Sequence, residues 1–453
     1  MNSLRCVIGL ALLPMAATGQ VSSHALPQLG GAATVVDDSP NAFGYPAKTL
    51  SRKERRRFLV GNSFFKQNWV ESPASASDRD GLGPLFNARS CSACHLRDGR
   101  SAPPTADGPA RHGLLMRIGI YQDGQPDAAH PHYGGQIQDQ GVQGVAAEAR
   151  VAISYRAVAG QYADGTPYEL LAPSYILKQP AYGAVMDAAT LGPRTAPHLI
   201  GLGLLEAVPV AQLVRIADPD DRDGDGISGR VHFLDADQKI AGRFGWKATK
   251  ATVRGQTAAA YVNDMGITSP VHPEEALSAS QLGLLPQGST ATPEIDAKTF
   301  ADVVFYTQAL AVPRQRIPDD SKVIAGQQLF ANMGCAACHQ PTLATGSEAF
   351  HPSYRNQEFH PYTDLLLHDM GPDLADQKRD VDARPREWRT PPLWGLGLIE
   401  RVSGHTRLLH DGRARNLEEA VLWHGGEGQA ARDRFVIANA RERTQLLAFL
   451  RSL

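Results

Sequence analysis

Two pentapeptides hold the clearest chemistry in this sequence: Cys91-Ser92-Ala93-Cys94-His95 and Cys335-Ala336-Ala337-Cys338-His339. Two thiols three positions apart on one helical turn can each add to a vinyl group of the same porphyrin. The histidine that follows then lies beneath the iron and supplies the proximal nitrogen. A bare Cys-x-x-Cys serves equally as half of a zinc site or as a redox dithiol. Here each pair carries an immediate histidine. The fifth of the five cysteines, Cys6, falls in the apolar N-terminal stretch, so no thiol is left for a disulfide framework. The expectation is two covalently bound haem c groups, with His95 and His339 as proximal ligands. The sixth position of each iron then decides function. A strong second ligand closes the centre for electron transfer, and an open position admits a small oxidant.

Histidines and methionines supply the candidates for that sixth position, and most of the 15 histidines must be surface or structural. Elsewhere, Asp221-Arg222-Asp223-Gly224-Asp225-Gly226 matches the start of a calcium loop, with alternating acidic oxygens and a glycine for the sharp turn. Its twelfth position is His232 rather than Glu, which excludes an EF-hand proper. A calcium site at Asp221, Asp223 and Asp225 and a plain Asp/Gly turn both stay open.

The elements that must hold these motifs are partly legible. With 453 residues, 42% of them hydrophobic, the chain is long enough for sizeable cores. A formal charge of −2 argues against a nucleic-acid partner. Residues 1–25 read as a signal peptide, with one early positive charge, a short apolar run and small residues where a peptidase could cut. No later run is long and apolar enough to span a membrane. An exported, periplasmic chain with no transmembrane span once mature is expected. Residues 51–61 read as a helix start with a charged outer face. Residues 100–190 are turn-rich with short alternating runs such as Val151 to Tyr155, read as loops and short strands. Residues 300–311, 323–333, 418–423 and 441–453 read as helices, the second leading into the second haem motif and the last closing the fold.

A weak internal repeat is present. Arg194-Thr195-Ala196-Pro197 runs into Gly201-Leu202-Gly203-Leu204-Leu205-Glu206, and Arg389-Thr390-Pro391-Pro392 runs into Gly395-Leu396-Gly397-Leu398-Ile399-Glu400. Each copy follows one haem motif, as a duplicated haem domain requires.

These motifs carry a family resemblance. Gly83-Pro84-Leu85-Phe86-Asn87, His95-Leu96-Arg97-Asp98-Gly99-Arg100, the acidic loop through Arg230 and Gly242-Arg243-Phe244-Gly245-Trp246-Lys247 resemble the di-haem oxidoreductase family. That family is also labelled thiol oxidoreductase and is distantly similar to bacterial di-haem cytochrome c peroxidases. The likeness runs from about residue 50 to the end. Toward the C-terminus Leu366-Leu367-His368-Asp369-Met370-Gly371, Arg389 to Leu393, Leu409-His410-Asp411-Gly412-Arg413 and Leu417-Glu418-Glu419-Ala420-Val421 follow the peroxidase order. In those peroxidases a Met just after the last of these helices is the distal ligand of the electron-accepting haem. The matching stretch here reads Leu422-Trp423-His424-Gly425, which makes His424 the implied distal ligand of the second haem, with His410 and Met370 as runners-up. After the first Arg-x-x-Pro those peroxidases carry a Trp-Asp-Gly-Arg stretch and then a catalytic Glu, where this chain departs from them with Leu204-Leu205-Glu206-Ala207-Val208-Pro209 and an acidic loop. Glu206 is a candidate acid/base for splitting a bound peroxide, against a buried structural Glu, with Glu148 and Gln136 behind it. His112 is a candidate to close the first iron. The thiol label finds no support, because no free redox cysteine remains.

The resulting expectation is a mainly α-helical chain. A signal peptide spans residues 1–25, an N-terminal haem domain with loop-rich and short-stranded insertions spans 50–290, and a C-terminal cytochrome c-like haem domain spans 291–453. Electrons from a small redox protein or a membrane donor would enter at the second haem and pass to the first, where hydrogen peroxide is the obvious oxidant. A pure electron carrier with both irons closed is the alternative. Trp246 reads either as a relay between the haems or as a core side chain.

Overall fold

The computed structural model describes residues 28–109, 113–284 and 293–453. The expected signal peptide, Cys6 and His112 lie outside the described residues. Among these residues no helix is long and apolar enough to cross a membrane.

Helix α1 (Arg52–Lys66) starts at Ser51, whose hydroxyl accepts from the Glu54 N–H while the Glu54 carboxylate accepts from the Ser51 N–H. This reciprocal pair satisfies two amide groups that a helix start leaves open. The first haem motif forms a single turn, α2 (Cys91–Cys94). Then follow two small antiparallel sheets. In one, β1 (Leu114–Ile120) lies between β2 (Gln136–Ile137) and a later strand. In the other, β3 (Arg150–Gln161) and β4 (Pro167–Lys178) form a hairpin of two twelve-residue strands. Strand β5 (Ala189–Thr195) returns to pair with β1, Leu114 opposite Thr195, and so delivers the first Arg-Thr-Ala-Pro copy to the edge of the sheet.

Helices α3 (Leu202–Glu206), α4 (Val253–Asp264) and α5 (Ala297–Ala309) complete the N-terminal half. Helix α5 packs on α1 through Phe58, whose ring lies 4.6 Å from that of Tyr306. The two helices close to backbone contact at Gly61, where a Cβ would sit 2.1 Å from the Asp302 carbonyl oxygen. The C-terminal half repeats the device. Helix α6 (Ser321–Asn332) leads into the second motif. A short pair, β6 (Leu367–Asp369) and β7 (Glu387–Arg389), follows. After α7 (Leu417–Leu422) the closing helix α8 (Ala440–Ser452) crosses α6 at Gly326, where a Cβ would meet the Gln445 carbonyl oxygen at 2.0 Å. Both halves thus share one large apolar core, which includes Phe58, Phe65, Tyr306, Phe330, Trp394 and Phe449.

The expectation of a mainly α chain is corrected. With 30% helix, 18% strand and several small sheets, the fold is mixed α/β with long loops. The excess strand comes from the insertion. Val151 and Ile153 alternate into a small separate core with Leu114, Met116 and Ile118, and this period-2 burial continues into a long hairpin. The tip of the hairpin docks on the C-terminal half. The Tyr162 hydroxyl donates to Glu418 at 2.6 Å, and Arg443 reaches Asp164 at 2.7 Å. A segment read as loops and short strands therefore braces the helix that precedes His424.

Candidate functional site

The first motif opens into a cavity of about 400 Å³, within the range of cofactor sites. Cys91, Cys94 and His95 line it together with Phe65, Leu115, Ile200 and Leu205. Burial, with Asp264 nearby, pushes both thiols up to about 12. They are therefore neutral thiols, unlike the activated thiolate of a redox dithiol. Burial lowers His95 to about 4, so its ring is neutral and suited to a metal. Its only ring neighbour among the described residues is Phe65, at 6.3 Å between centres.

The cavity wall is rich in cations. Arg100, Arg243 and Arg389 are buried there and donate to backbone carbonyls rather than to carboxylates. Thiols and an imidazole at one end, apolar walls and unneutralised guanidinium groups form a donor set that fits a flat, largely apolar iron porphyrin bearing carboxylates. The cavity also holds an acid. Burial raises Asp264 to about 6, and its carboxylate accepts from Gln136 Nε2 at 2.9 Å.

At the second motif, Gly334 adopts a left-handed conformation, φ 85°, to turn the chain out of α6. Burial pushes the Cys335 thiol up to about 12. The His339 Nδ1–H donates to the Tyr362 carbonyl at 3.0 Å, and the His424 Nδ1–H donates to the Ala420 carbonyl at 2.7 Å. Each bond fixes a tautomer and leaves Nε2 for a metal, as the hydrogen bond on the far nitrogen of a ligating histidine does. The two ring centres lie 6.5 Å apart. One metal held in line by two imidazoles, with bonds near 2.0–2.1 Å, needs about 6.3 Å between ring centres. Burial lowers the pKa of both rings, so both are neutral. The neighbouring Trp423 is buried, with its Nε1–H unpartnered.

The runners-up at this site have other surroundings. The His410 ring stacks on Trp388 at 3.7 Å and 12°, and its carbonyl accepts from Thr195. Met370 lies against Gly428, beside His424. Cys338 adjoins a buried cluster in which His368 bonds Asp364 at 2.8 Å and Glu427 at 2.6 Å. Those carboxylates hold His368 well above its usual pKa.

Glu206 does not take the acid/base place. One oxygen caps α4 by accepting from the Val253 N–H at 2.7 Å, the other accepts from Gln308, and the side chain is not among those lining the cavity. Its position at the end of α3 gives it this structural part. Glu148 is likewise engaged elsewhere, by the Gln138 N–H and Gln281. Gln136 does line the cavity, bonded to Asn87, Asp264 and Arg117.

The carboxylates of Asp221, Asp223 and Asp225 lie within 4.8 Å of one another. Each also accepts an N–H of its own loop, at Gly226, Asp225 and Ile227 respectively. His232 turns away to the Lys247 carbonyl. Trp246 lines the first cavity and joins the two repeat copies: its Nε1–H donates to the Thr195 carbonyl, and its own carbonyl accepts from the Arg389 N–H.

His198 and Asp264 are cavity residues that sequence reasoning missed. A signal for His198 existed, since the repeat places a polar side chain there against Leu393 in the other copy. Asp264 sits at the end of an ordinary helix and carries no signal.

A family model described as "Di-haem oxidoreductase, putative peroxidase" matches residues 24–117 and 128–453. No curated protein matches the chain.

Proposed function

Because the chain belongs to the di-haem oxidoreductase family, and so uses haem cofactors, we propose that it is an exported c-type di-haem enzyme that reduces a small oxidant at its first haem. The contrast between the two motifs carries this reading. At the second, His424 faces His339 at a spacing that suits a closed, six-coordinate iron. At the first, no described imidazole faces His95 in this way, and a cavity opens beside it.

Covalent attachment is part of the proposal. Its support is that each motif puts two neutral thiols beside a neutral histidine, with no disulfide among the described cysteines. The haem groups would supply one-electron redox chemistry and, where a coordination position is open, a place for the oxidant. His95 and His339 would hold the irons, and His424 would supply the further ligand at the second. Asp264 offers a proton-holding carboxyl in the first cavity, oriented by the Gln136 amide. With hydrogen peroxide as oxidant, two electrons and two protons give two waters. Electrons from a small redox protein or a membrane donor would enter at the second haem and cross to the first. Trp246 spans the contact between the two repeat copies. Residues 1–25, read from sequence as an export segment, support a periplasmic location for this chemistry. Calcium at Asp221, Asp223 and Asp225 is the remaining proposed ligand.

The test is spectroscopic. The mature protein should carry two porphyrin adducts by mass. It should also show a high-spin component, or a shift on adding cyanide, that belongs to the first haem. Two low-spin haems inert to cyanide and to peroxide after partial reduction would instead mark a pure electron carrier.

A further inference from the structure

Besides Arg243, the wall of the first cavity holds three polar side chains with nothing to neutralise or bond them fully. Arg100, Arg389 and His198 are 6%, 7% and 8% exposed. Arg100 donates to the carbonyls of Arg407 and Leu409, and Arg389 to those of Gly245 and Thr390. Neither forms an ion pair among the described residues. Asp364, whose charge Arg389 feels, is bound to His368 at 2.8 Å. His198 is left with both ring nitrogens buried and unpartnered. A guanidinium taken out of water without a counter-charge is strongly disfavoured, and so is an unbonded buried imidazole.

The three belong to one place. All line the same cavity as His95. The Arg100 guanidinium lies 5.4 Å from the ring centre of Trp246, and the Trp246 backbone accepts from Arg389. His198 stands three residues beyond Thr195, which accepts the Trp246 N–H. Burial and the charges of Arg100 and Arg389 hold His198 neutral, at about 3.

We propose that Arg100, Arg389 and His198 form a carboxylate pocket in the wall of the first cavity, which receives the propionates of the haem held by His95. Two guanidinium groups and one imidazole N–H are the donors that a buried carboxylate pair needs. A His198 that instead ligated the iron would show as a high-spin first haem when replaced. Since Arg389 comes from the second repeat copy, the C-terminal half completes the first haem site.

This inference rests on the di-haem reading, and the two fail separately. Haem content per chain tests the reading, and reduction potentials test the pocket. The variants are Arg100→Gln, Arg389→Gln and His198→Gln in the full-length holoprotein. A cation beside a propionate favours the reduced haem, so its loss lowers the potential. The arginine variants should keep two haems and shift the first-haem equilibrium at least tenfold toward the oxidised form, 59 mV for one electron. That potential should also acquire a slope between about pH 5 and 8 as the freed propionate titrates, while the second haem stays unchanged. Arg389→Lys should recover most of the shift, and His198→Gln should add a weaker pH slope without changing spin state. Wild-type potentials and pH profiles in all three glutamine variants would overturn the pocket. So would Arg389→Lys falling as far as Arg389→Gln, or a high-spin first haem in His198→Gln. Should no variant mature, the wild-type potential decides: flat across that pH range as expected, or sloping toward 59 mV per pH unit, which refutes the pocket.

Discussion

Replacing His424 by Ala separates the two haems most cleanly. With Nδ1 of each ring tied to a carbonyl, the 6.5 Å between the centres of His339 and His424 leaves about 4.3 Å between the facing nitrogens. That gap takes one metal ion and excludes a water beside it. Alanine removes the whole ring, so the second iron would face a hollow that water, cyanide or added imidazole can enter. One of two haems should then become high-spin, so about half of the Soret and electron-resonance intensity changes character. Added imidazole should reverse the change. The potential of that haem should rise, since an imidazole ligand favours ferric iron more than a vacant or weakly held position does. The lost bond to the Ala420 carbonyl costs roughly 1–3 kcal/mol of stability, which a family member of this size should survive. The measurement is the visible and electron-resonance spectrum of a variant shown by mass to carry two haems. An unchanged low-spin spectrum in that variant would remove His424 from the iron, and with it the division of labour between the haems. His410→Ala is the control. Its ring packs on Trp388, so the spin state of both haems should stay as it was.

Other outcomes follow from named contacts. Burial raises Glu148 to about 7 from an ordinary 4.5. Between those values the folded chain binds more protons than the unfolded one, so stability falls as pH rises from about 4.5 to 7, by up to about 3 kcal/mol. Denaturation midpoints at several pH values should show this slope, and Glu148→Gln should flatten it; an equal slope in the variant refutes the assignment. Arg443→Ala removes the bond to Asp164 and the cation lying 3.9 Å from the centre of the Tyr162 ring. The hairpin tip should loosen, at roughly 1–2 kcal/mol, and limited proteolysis should cut near residues 161–167 faster than in the wild type. Calcium added to chelator-treated protein should raise its thermal midpoint, with Asp223→Asn abolishing the effect; identical midpoints leave the loop a plain Asp/Gly turn.

What the sequence discloses divides by the range of the interaction. The haem motifs are local chemistry and can be read off five residues. The helices at 52–66, 297–309, 321–332 and 440–452 follow from caps and apolar period, within a few residues of their expected bounds. His424 came from a motif order, and its facing geometry is what a ligand there needs. The long hairpin was less legible. Beyond Tyr155 the first strand runs Ala157-Val158-Ala159 and its partner carries Leu170, Leu171 and Ala172 in succession, so alternation fades where the strands go on. Glu206 misled because its spacing in the repeat says nothing of direction, and its carboxylate meets the N-terminus of a helix some fifty residues on. The cavity cations are the least legible. An arginine in sequence gives no hint that its partner is a carbonyl instead of a carboxylate.

The repeat itself shows why the two haem sites cannot be treated as independent modules. Equivalent arginines have taken unequal parts. Arg194, from the first copy, is ion-paired to Asp376 at 2.7 Å and lies over Trp388 of the second half. Both line the first cavity, but Arg389, from the second copy, has no such partner. Each copy thus sends its arginine across the contact, and Trp246 bonds to both copies at once. A buried charge is tolerable only where something compensates it. Asp376 does so on one side, and on the other the compensation must come from what the cavity holds. Loading of the first site should therefore tighten the contact between the halves. Hydrogen exchange at the Arg389 and Thr195 amides should slow when the haem groups are present and stay fast in a Cys91→Ala, Cys94→Ala chain that carries the second haem alone. Equal protection in both would mean that the halves are joined by their apolar core without regard to the first site.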